Sequence, residues 1–516
     1  MASSAKNSRN EEIQPTRQSC KYGSQCYRKN PQHFEEFSHP DNDSLCGPST
    51  CGEVNSNNPK NVESFNQNLY GIYLFRVSGV KYGRFPTITL KEILDSGDGE
   101  LLSSIQFNYM FDIKWLLEQY PKHSRSLPLT IVHGFEGRTK KSLNDTAASY
   151  SNIQVYQANI RMPFGTHHTK MMILKYKDGL KIVIHTANMI PEDWDRRTQG
   201  IWISPKLSLL NPELKKSSSS STDSKTNFRA DLLEYLKAYS TDATQSANSP
   251  LFEWIDCLHN YDFRPIKVVL IASVSGRFVG QSMKKFGHPR LAQVLHVVNN
   301  RIPSSWPVVG QFSSIGSLGS QPPAWFTTEW SSSLAGRGAR GLRMIYPCVE
   351  DVRNSLEGYL AGGCLPYTKR IAAKQPWLRQ FLHRWQAFGH SRAAPHIKSY
   401  TRMSPNGEQI GWFLLTSANL SKAAWGSYEK SGSQLMIRSY ELGVLFLPSN
   451  YMESAETFEV LDGSLKRSRA SSSGDLPPFP VPYELPPVEY SSNDEPWIVD
   501  EASKLPDVFG NVWQPQ

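Results

Sequence analysis

An α/β fold built from two similar sandwich halves is what this sequence predicts, on three observations. Strand-like and helical segments alternate from residue 68 onward, a second apolar opening strand appears at IKVVLIASV, and one short pattern recurs in both halves. The pattern is His-x-Lys, then a strand ending in Ala-Asn, then a Trp six residues after the Asn. In GTHHTKMMILKYKDGLKIVIHTANMIPEDW it supplies His168, Lys170, Asn188 and Trp194; in PHIKSYTRMSPNGEQIGWFLLTSANLSKAAW it supplies His396, Lys398, Asn419 and Trp425.

Taken in order, residues 1 to about 68 are rich in Ser, Asn, Pro and charge and lack apolar periodicity. They read as a mobile region holding one compact knot, residues 15–42, with a flexible linker over 43–67. From NLYGIYLFRVSGV the chain reads as globular. LTIVHG, IQVYQANI and KIVIHTAN are expected strands, IQFNYMFDIKWLLEQY an amphipathic helix, and ADLLEYLKAY a helix after the low-complexity surface loop 214–227. A boundary near residue 256 would divide the globular part into halves 68–255 and 256–516. Beyond it, RLAQVLHVV and KQPWLRQFLHRW read as helical, GWFLLTSAN and LGVLFLP as strands. SLKRSRASSSGD, residues 464–475, reads as a solvated insertion rather than a nuclear address, and PPFPVPYELPPV as extended chain, because each Pro fixes φ and removes a donor.

At 516 residues with 39% hydrophobic content the chain can bury sizeable cores. Its formal charge of +9 favours an anionic partner such as nucleic acid. No apolar run reaches the roughly 18 residues of a membrane span, and MASSAKNSRNEE lacks the apolar core of a signal peptide, so a soluble, intracellular protein is expected. Seven cysteines are an odd count for a disulfide framework, and the wide spacing of Cys257, Cys348 and Cys364 suits reduced thiols in a core.

A single His-x-Lys means little, since a lone His more often sits satisfied in a core or on a surface. The doubled set is different. On an extended strand residues i and i+2 share a face, so each copy aims an imidazole and an ammonium the same way, and two such faces would form a cationic pocket. Imidazole titrates near neutrality, so one His can attack while the other carries a proton. Two lysines and two asparagine amides suit a centre that gains negative charge as it reacts, and a phosphodiester is such a centre. His167 should point away, being on the opposite strand face from Lys170. Carboxylates near the first motif, Asp178, Glu192, Asp193 and Asp195, read as loop and surface residues, and metal-assisted cleavage is not required.

The motifs GTHHTKMM, VIHTAN, RRTQGIW, GQFSSIGSLG, HIKSY, TSANLSKAAWG, MIRSYELGVLFLP and VPYELPP, spread over residues 68–516, resemble the tyrosyl-DNA phosphodiesterases of the phospholipase D superfamily. The wider superfamily carries an Asp beyond each motif Lys, at places taken here by Lys175 and Met403; that departure fits the tyrosyl-DNA branch and speaks against a lipid-cleaving enzyme. The resemblance implies two sandwich domains related by a pseudo-twofold axis, acting on single- and double-stranded DNA 3′ ends that carry topoisomerase I peptide adducts; a monomer is expected because both halves of the proposed site lie in one chain. It implies a metal-independent reaction with His168 as nucleophile through a phosphohistidine and His396 as acid, then base, leaving a 3′-phosphate. Other 3′ adducts are further candidate substrates. Lys170, Lys398, Asn188 and Asn419 would surround the phosphate, with Gln199 beside His396 and Glu441 beside His168. Alternatives are a catalytically inactive repair scaffold or another phosphodiesterase of the superfamily.

The resemblance also lays Ser313, Ser314, Ile315 and Gly316 along the DNA backbone, with Ser421 nearby, where small side chains and free N–H groups approach phosphates; a tight turn is the other reading. Tyr109 and Phe164 are candidates for stacking on an unpaired base, or for core packing. Trp497 would face the peptide side of the groove.

In the N-terminal knot, Cys20, Cys26, His33 and His39 form a Cys-x5-Cys-x6-His-x5-His array, whose two thiolates and two imidazoles can close a tetrahedral zinc shell. CKYG, CYR and HP make it resemble the poly(ADP-ribose)-binding zinc finger, which implies Tyr22, Tyr27 and Arg28 as the polymer-binding set. Cys46 and Cys51 read as bystanders. Because that polymer is made at DNA breaks, a nuclear repair enzyme is the expectation.

Overall fold

The computed structural model describes residues 18–19, 37–38, 68–83, 85–211, 222–239, 250–336, 341–461 and 476–515, and the chain separates into Met1–Pro59 and Lys60–Gln516. In the first unit the backbone of Gln18–Ser19 pairs in parallel with that of Phe37–Ser38. Cys20, Cys26, His33, His39, Tyr22, Tyr27 and Arg28 lie outside the described residues, as do the linker to residue 67 and the insertion 464–475.

The second unit is organised by two mixed sheets. One runs Thr87–Ile88, Ile72–Phe75, Gly200–Ile203, Gly179–His185, Met171–Tyr176, Leu101–Phe107, Leu129–His133, Ile153–Gln157, with Leu207–Ser208 beside Gly179–His185. The other runs Val269–Ser273, Glu441–Phe446, Gln409–Thr416, Ser399–Met403, Val308–Gln311, Leu342–Ile345, Leu382–His383, with Phe458–Glu459 beside Gln409–Thr416. From Ile72–Phe75 and Val269–Ser273 inward, the sheets repeat the same sequence of antiparallel pairs followed by two parallel ones. The duplication legible in two short motifs is therefore a duplication of the whole topology.

Strand alternation explains the packing. Ile182 and Ile184 face a core that also holds Phe413, Leu415 and Val444 of the second sheet, whereas Val183 between them joins Leu116, Leu117 and Leu143 beneath the helices Ile113–Gln119 and Gly137–Ala147. Each such side chain contributes roughly 1.5–3 kcal/mol on burial, so the core common to both sheets binds the halves into one unit.

Three expectations are corrected. IQFNYMFDIKWLLEQY is not one helix: its first residues end the strand Leu101–Phe107, held on both sides by neighbours, and the helix starts only where the Asp112 side chain caps Trp115 N–H at 3.0 Å. KQPWLRQFLHRW ends in a strand, Leu382–His383, which the edge at Leu342–Ile345 captures after the short turn Pro376–Phe381. The division expected near residue 256 falls inside the helix Pro250–Leu258, whose Leu251, Trp254, Ile255 and Leu258 belong to the shared core.

Candidate active site

The two motifs meet where the sheets abut, and the backbone brings them there by a crossed arrangement. His168 N–H donates to Tyr440 C=O at 2.9 Å and Tyr440 N–H to Thr166 C=O at 2.9 Å; His396 N–H donates to Thr198 C=O at 3.0 Å and Thr198 N–H to Ala394 C=O at 2.9 Å. Each motif is thus tied to the residue just before the orienting side chain of the other half, Glu441 or Gln199. Gly165 permits the first crossing, because a Cβ there would lie 2.1 Å from Arg438 O.

Alternation sorts the side chains. His167 bonds Asn108 O and the Tyr239 hydroxyl, both at 3.0 Å, and Thr169 bonds the Tyr235 hydroxyl; these face a buried tyrosine cluster. His168 and Lys170 face the opposite way. Lys170 Nζ donates back to His168 O at 2.8 Å, and Lys398 Nζ makes the same bond to His396 O.

Each imidazole rests on a relay from the other half. His168 Nδ1 is 2.8 Å from Glu441 Oε2, which also accepts the Ser417 hydroxyl at 2.5 Å. His396 Nδ1 is 2.8 Å from Gln199 Nε2, and Gln199 Oε1 accepts the Thr186 hydroxyl at 2.7 Å. In both cases Nδ1 is engaged and Nε2 is the nitrogen left for chemistry. Sequence reasoning missed Thr186 and Ser417, although each stands two residues before a motif Asn; that doubled hydroxyl was the available signal.

Burial dominates the electrostatics. It lowers Lys170 to about 7, with Lys398 adding to the fall, and lowers Lys398 to about 8 against the pull of Asp193. Burial also lowers His168, partly offset by Glu441, and drives His396 well below its usual range, helped by Lys398 and opposed by Asp193. Glu441 stays below the ordinary carboxylate range: burial pushes it up, but the His168 charge and hydrogen bond outweigh that. Burial and the facing lysines thus favour the neutral form of both imidazoles and ease loss of a proton from each ammonium group. A bound phosphodiester would reverse these shifts by supplying the missing negative charge.

The asparagines differ. Asn419 Oδ1 accepts the N–H groups of Ser313 and Ser314 at 3.1 and 3.0 Å, so its NH2 is the end aimed elsewhere; Asn188 Oδ1 is buried without a hydrogen-bond partner. Trp194 and Trp425 are scaffolding: Trp194 donates to Asn188 O at 2.8 Å and stacks on Phe75 at 3.9 Å, while Trp425 packs edge-on against Tyr400.

Several expectations change here. Asp193 is no surface residue: it is fully buried, accepts Asn188 N–H at 2.7 Å, bonds Arg197 and stands 3.3 Å from His396 Nδ1. Asp178 does sit in solvent, paired with Lys206. The N–H groups of Ser313, Ser314 and Gly316 are not free, being held by Asn419 and by Leu420 O, and Ile315 is buried; what this segment turns outward is the Ser314 side chain, itself bonded to Pro366 O. The Ser421 hydroxyl caps the helix Lys422–Trp425. Trp497 does not face a groove; it is 1% exposed, lies against Gly362 and stacks on Tyr359, because an indole this large finds its apolar contacts in the core. Tyr109 stands edge-on to His168 at 5.6 Å and 5.6 Å from Lys170 Nζ. Phe164 is 93% exposed at φ +60°, an apolar ring held in water by a strained backbone. Among the described residues no group of His, Cys, Asp and Glu side chains is arranged to hold a metal ion, and no described helix is long and apolar enough to cross a membrane.

Comparison with known proteins bears on the family and the fold. Residues 72–491 match the family described as Tyrosyl-DNA phosphodiesterase, and residues 17–42 match the PBZ domain. The chain is 39% identical over 431 residues to Tyrosyl-DNA phosphodiesterase 1 of Drosophila melanogaster, covering 80% of this chain and 70% of that one. It is 36% identical over 461 residues to the Arabidopsis thaliana protein of the same name, covering 82% and 73%. In fold it is similar to the crystal structure of the yeast tyrosyl-DNA phosphodiesterase, with a TM-score of 0.62 at 20% identity over 83% of this chain and 99% of the other.

Proposed function

We propose, from the premise that this chain belongs to the tyrosyl-DNA phosphodiesterase family and is a phosphodiesterase, that it hydrolyses the 3′-phosphotyrosyl bond joining DNA to topoisomerase I remnants. The observation that carries this reading is the pair of crossed relays, Glu441 on His168 and Gln199 on His396, in one pocket with two lysines.

His168 Nε2, neutral and oriented by Glu441, attacks phosphorus. As the P–N bond forms, the bond to the tyrosine oxygen breaks, its electron pair leaves with that oxygen, and His396 Nε2–H protonates it. Neutral His396 then takes a proton from water as the water oxygen attacks phosphorus. The P–N bond breaks back to His168, and a 3′-phosphate is released. Lys170, Lys398 and the amides of Asn188 and Asn419 stabilise charge on the phosphoryl oxygens throughout. Each step uses only groups of this chain and water, so no metal is called for.

On the DNA side, Tyr109 and Phe164 provide rings for an unpaired base, with Ser314 and Ser421 at the rim. At the other end of the chain, Cys20, Cys26, His33 and His39 are a donor set suited to structural zinc, in a finger (15–42) that binds poly(ADP-ribose) through Tyr22, Tyr27 and Arg28. It is joined by the linker 43–67 to two catalytic halves that share one core. Support comes from the PBZ match and from the pairing of Gln18–Ser19 with Phe37–Ser38, which immediately precede Cys20 and His39, the first and last residues of the array. Such a reader would concentrate a monomeric enzyme at DNA breaks in the nucleus.

The test is an oligonucleotide carrying a 3′-phosphotyrosine, incubated with excess chelator. Release of tyrosine with a 3′-phosphate product is expected; no release would remove the reading.

A further inference from the structure

We infer that Asp193 is a positioning residue for His396, supplying the acceptor that this imidazole needs when it is protonated. The inference rests on the proposed role of His396 as acid and then base.

The two copies of the motif are unequal. The residue just before the motif Trp is Asp193 in the first half and Ala424 in the second, while the orienting residue is the neutral Gln199 in the first and the anionic Glu441 in the second. Carboxylate and uncharged side chain have changed places. Around His168 the carboxylate bonds Nδ1 directly at 2.8 Å. Around His396 the amide takes the direct position at 2.8 Å, and the Asp193 carboxylate stands 3.3 Å from the same Nδ1.

The amide alone is insufficient. Gln199 Oε1 is engaged by the Thr186 hydroxyl at 2.7 Å, so the NH2 end faces His396, and an NH2 can satisfy only a ring nitrogen that carries a lone pair. An imidazolium has N–H on both nitrogens. With Nε2–H directed at the leaving oxygen, Nδ1–H requires an acceptor, and Asp193 Oδ2 is beside it. With Nδ1–H held there through both steps, Nε2 alone carries the proton, giving it to tyrosine and taking it back from water.

Asp193 is itself fixed for this duty. Its Oδ2 accepts Asn188 N–H at 2.7 Å, and its Oδ1 bonds the Arg197 guanidinium, which also meets Glu357 at 3.2 Å. All three side chains are buried, and together they carry one surplus negative charge, the counterpart of a protonated His396. The other charges acting on His396, those of Lys398, Arg197 and Lys170, all oppose its protonation. Removing the carboxylate would leave the imidazolium among cations only.

The experiment compares two 3′-phosphodiester oligonucleotides in single turnover, one ending in tyrosine and one in 4-nitrophenol, whose oxygen leaves without needing a proton. With Asp193→Asn, tyrosine release should fall about 10²-fold, nitrophenol release by less than about threefold, and the alkaline limb of the pH–rate profile should move to lower pH. Adding Gln199→Glu to Asp193→Asn returns a carboxylate to Nδ1 and should recover most of the tyrosine release. Equal slowing of both substrates with an unmoved pH limb, or no slowing, would overturn the inference. If Asp193→Asn does not fold, Asp193→Glu, which displaces the charge by one methylene, is read by the same selectivity. Failure of the unsubstituted chain to release tyrosine would bring down the proposed activity, and this inference with it; release by that chain with non-selective slowing would bring down the inference alone.

Discussion

Around His168 and around His396 the chain builds the same device, a hydroxyl bonded to a carbonyl oxygen whose side chain contacts imidazole Nδ1, yet one device is anionic and the other neutral at the point of contact. Identical topology has therefore not produced identical chemistry. Under the proposed mechanism the carboxylate at His168 holds Nδ1–H so that Nε2 can attack, whereas at His396 the amide occupies the direct position and the acceptor for Nδ1–H is left to Asp193. A repeated fold brings two imidazoles and two lysines into one pocket, and in the proposed mechanism single-residue differences between the repeats divide their labour.

The sharpest way to break that comparison is to remove each imidazole in turn. His168→Ala should reduce tyrosine release by about 10⁴-fold or more and give no protein-linked DNA on denaturing gels. His396→Ala should instead let a His168 adduct accumulate, because the second step loses its base; adducts in both variants, or in neither, would erase the asymmetry. Next in size, Glu441→Gln copies the neutral relay onto His168 and should lower single-turnover cleavage by about 10²- to 10³-fold through loss of the oriented tautomer.

Smaller effects probe what the halves share. Lys170 at about 7 and Lys398 at about 8 lie below the lysine reference value, so the free protein binds fewer protons there than its unfolded chain. Stability should therefore rise as pH increases through 7 and 8 toward 10, while affinity for inorganic phosphate, which needs the charged ammonium groups, should fall over the same range. Calorimetric titrations from pH 6 to 9 would show this, and Lys170→Met should flatten both trends. Least affected should be catalysis by a chain lacking residues 1–60: cleavage of a free oligonucleotide should stay within about twofold while poly(ADP-ribose) binding is lost, as expected for modules joined by a linker.

Much of the site was legible because strands have a period of two. That period separates His168 from His167 and pairs it with Lys170 without knowledge of the fold. The helix expected over IQFNYMFDIKWLLEQY failed for the converse reason: its apolar residues suit a helix face equally well, and only the neighbours on both sides of Leu101–Phe107 make its opening a strand. Asp193, in the turn-like stretch PEDW, gives no local sign of burial, since its surroundings are built by Arg197, Glu357 and His396. Trp497 was misjudged likewise, because the residues that enclose it, Tyr359 and Gly362, are distant in sequence.

By itself, then, the sequence determined the duplicated motif, the α/β class, the face on which each His-x-Lys lies and the anionic character of what it would bind. These are properties of neighbouring residues and of composition, which strand geometry and Coulomb's law act on directly. The pairing of Glu441 with His168 and of Gln199 with His396 was implied by the family resemblance and by no local pattern; the tertiary structure gave its geometry, across 273 and 197 residues of chain, and alone decided that a second carboxylate stands behind His396. Burial and hydrogen-bond partnership depend on which surfaces meet, and two sheets sharing one core bring together groups that no local pattern relates.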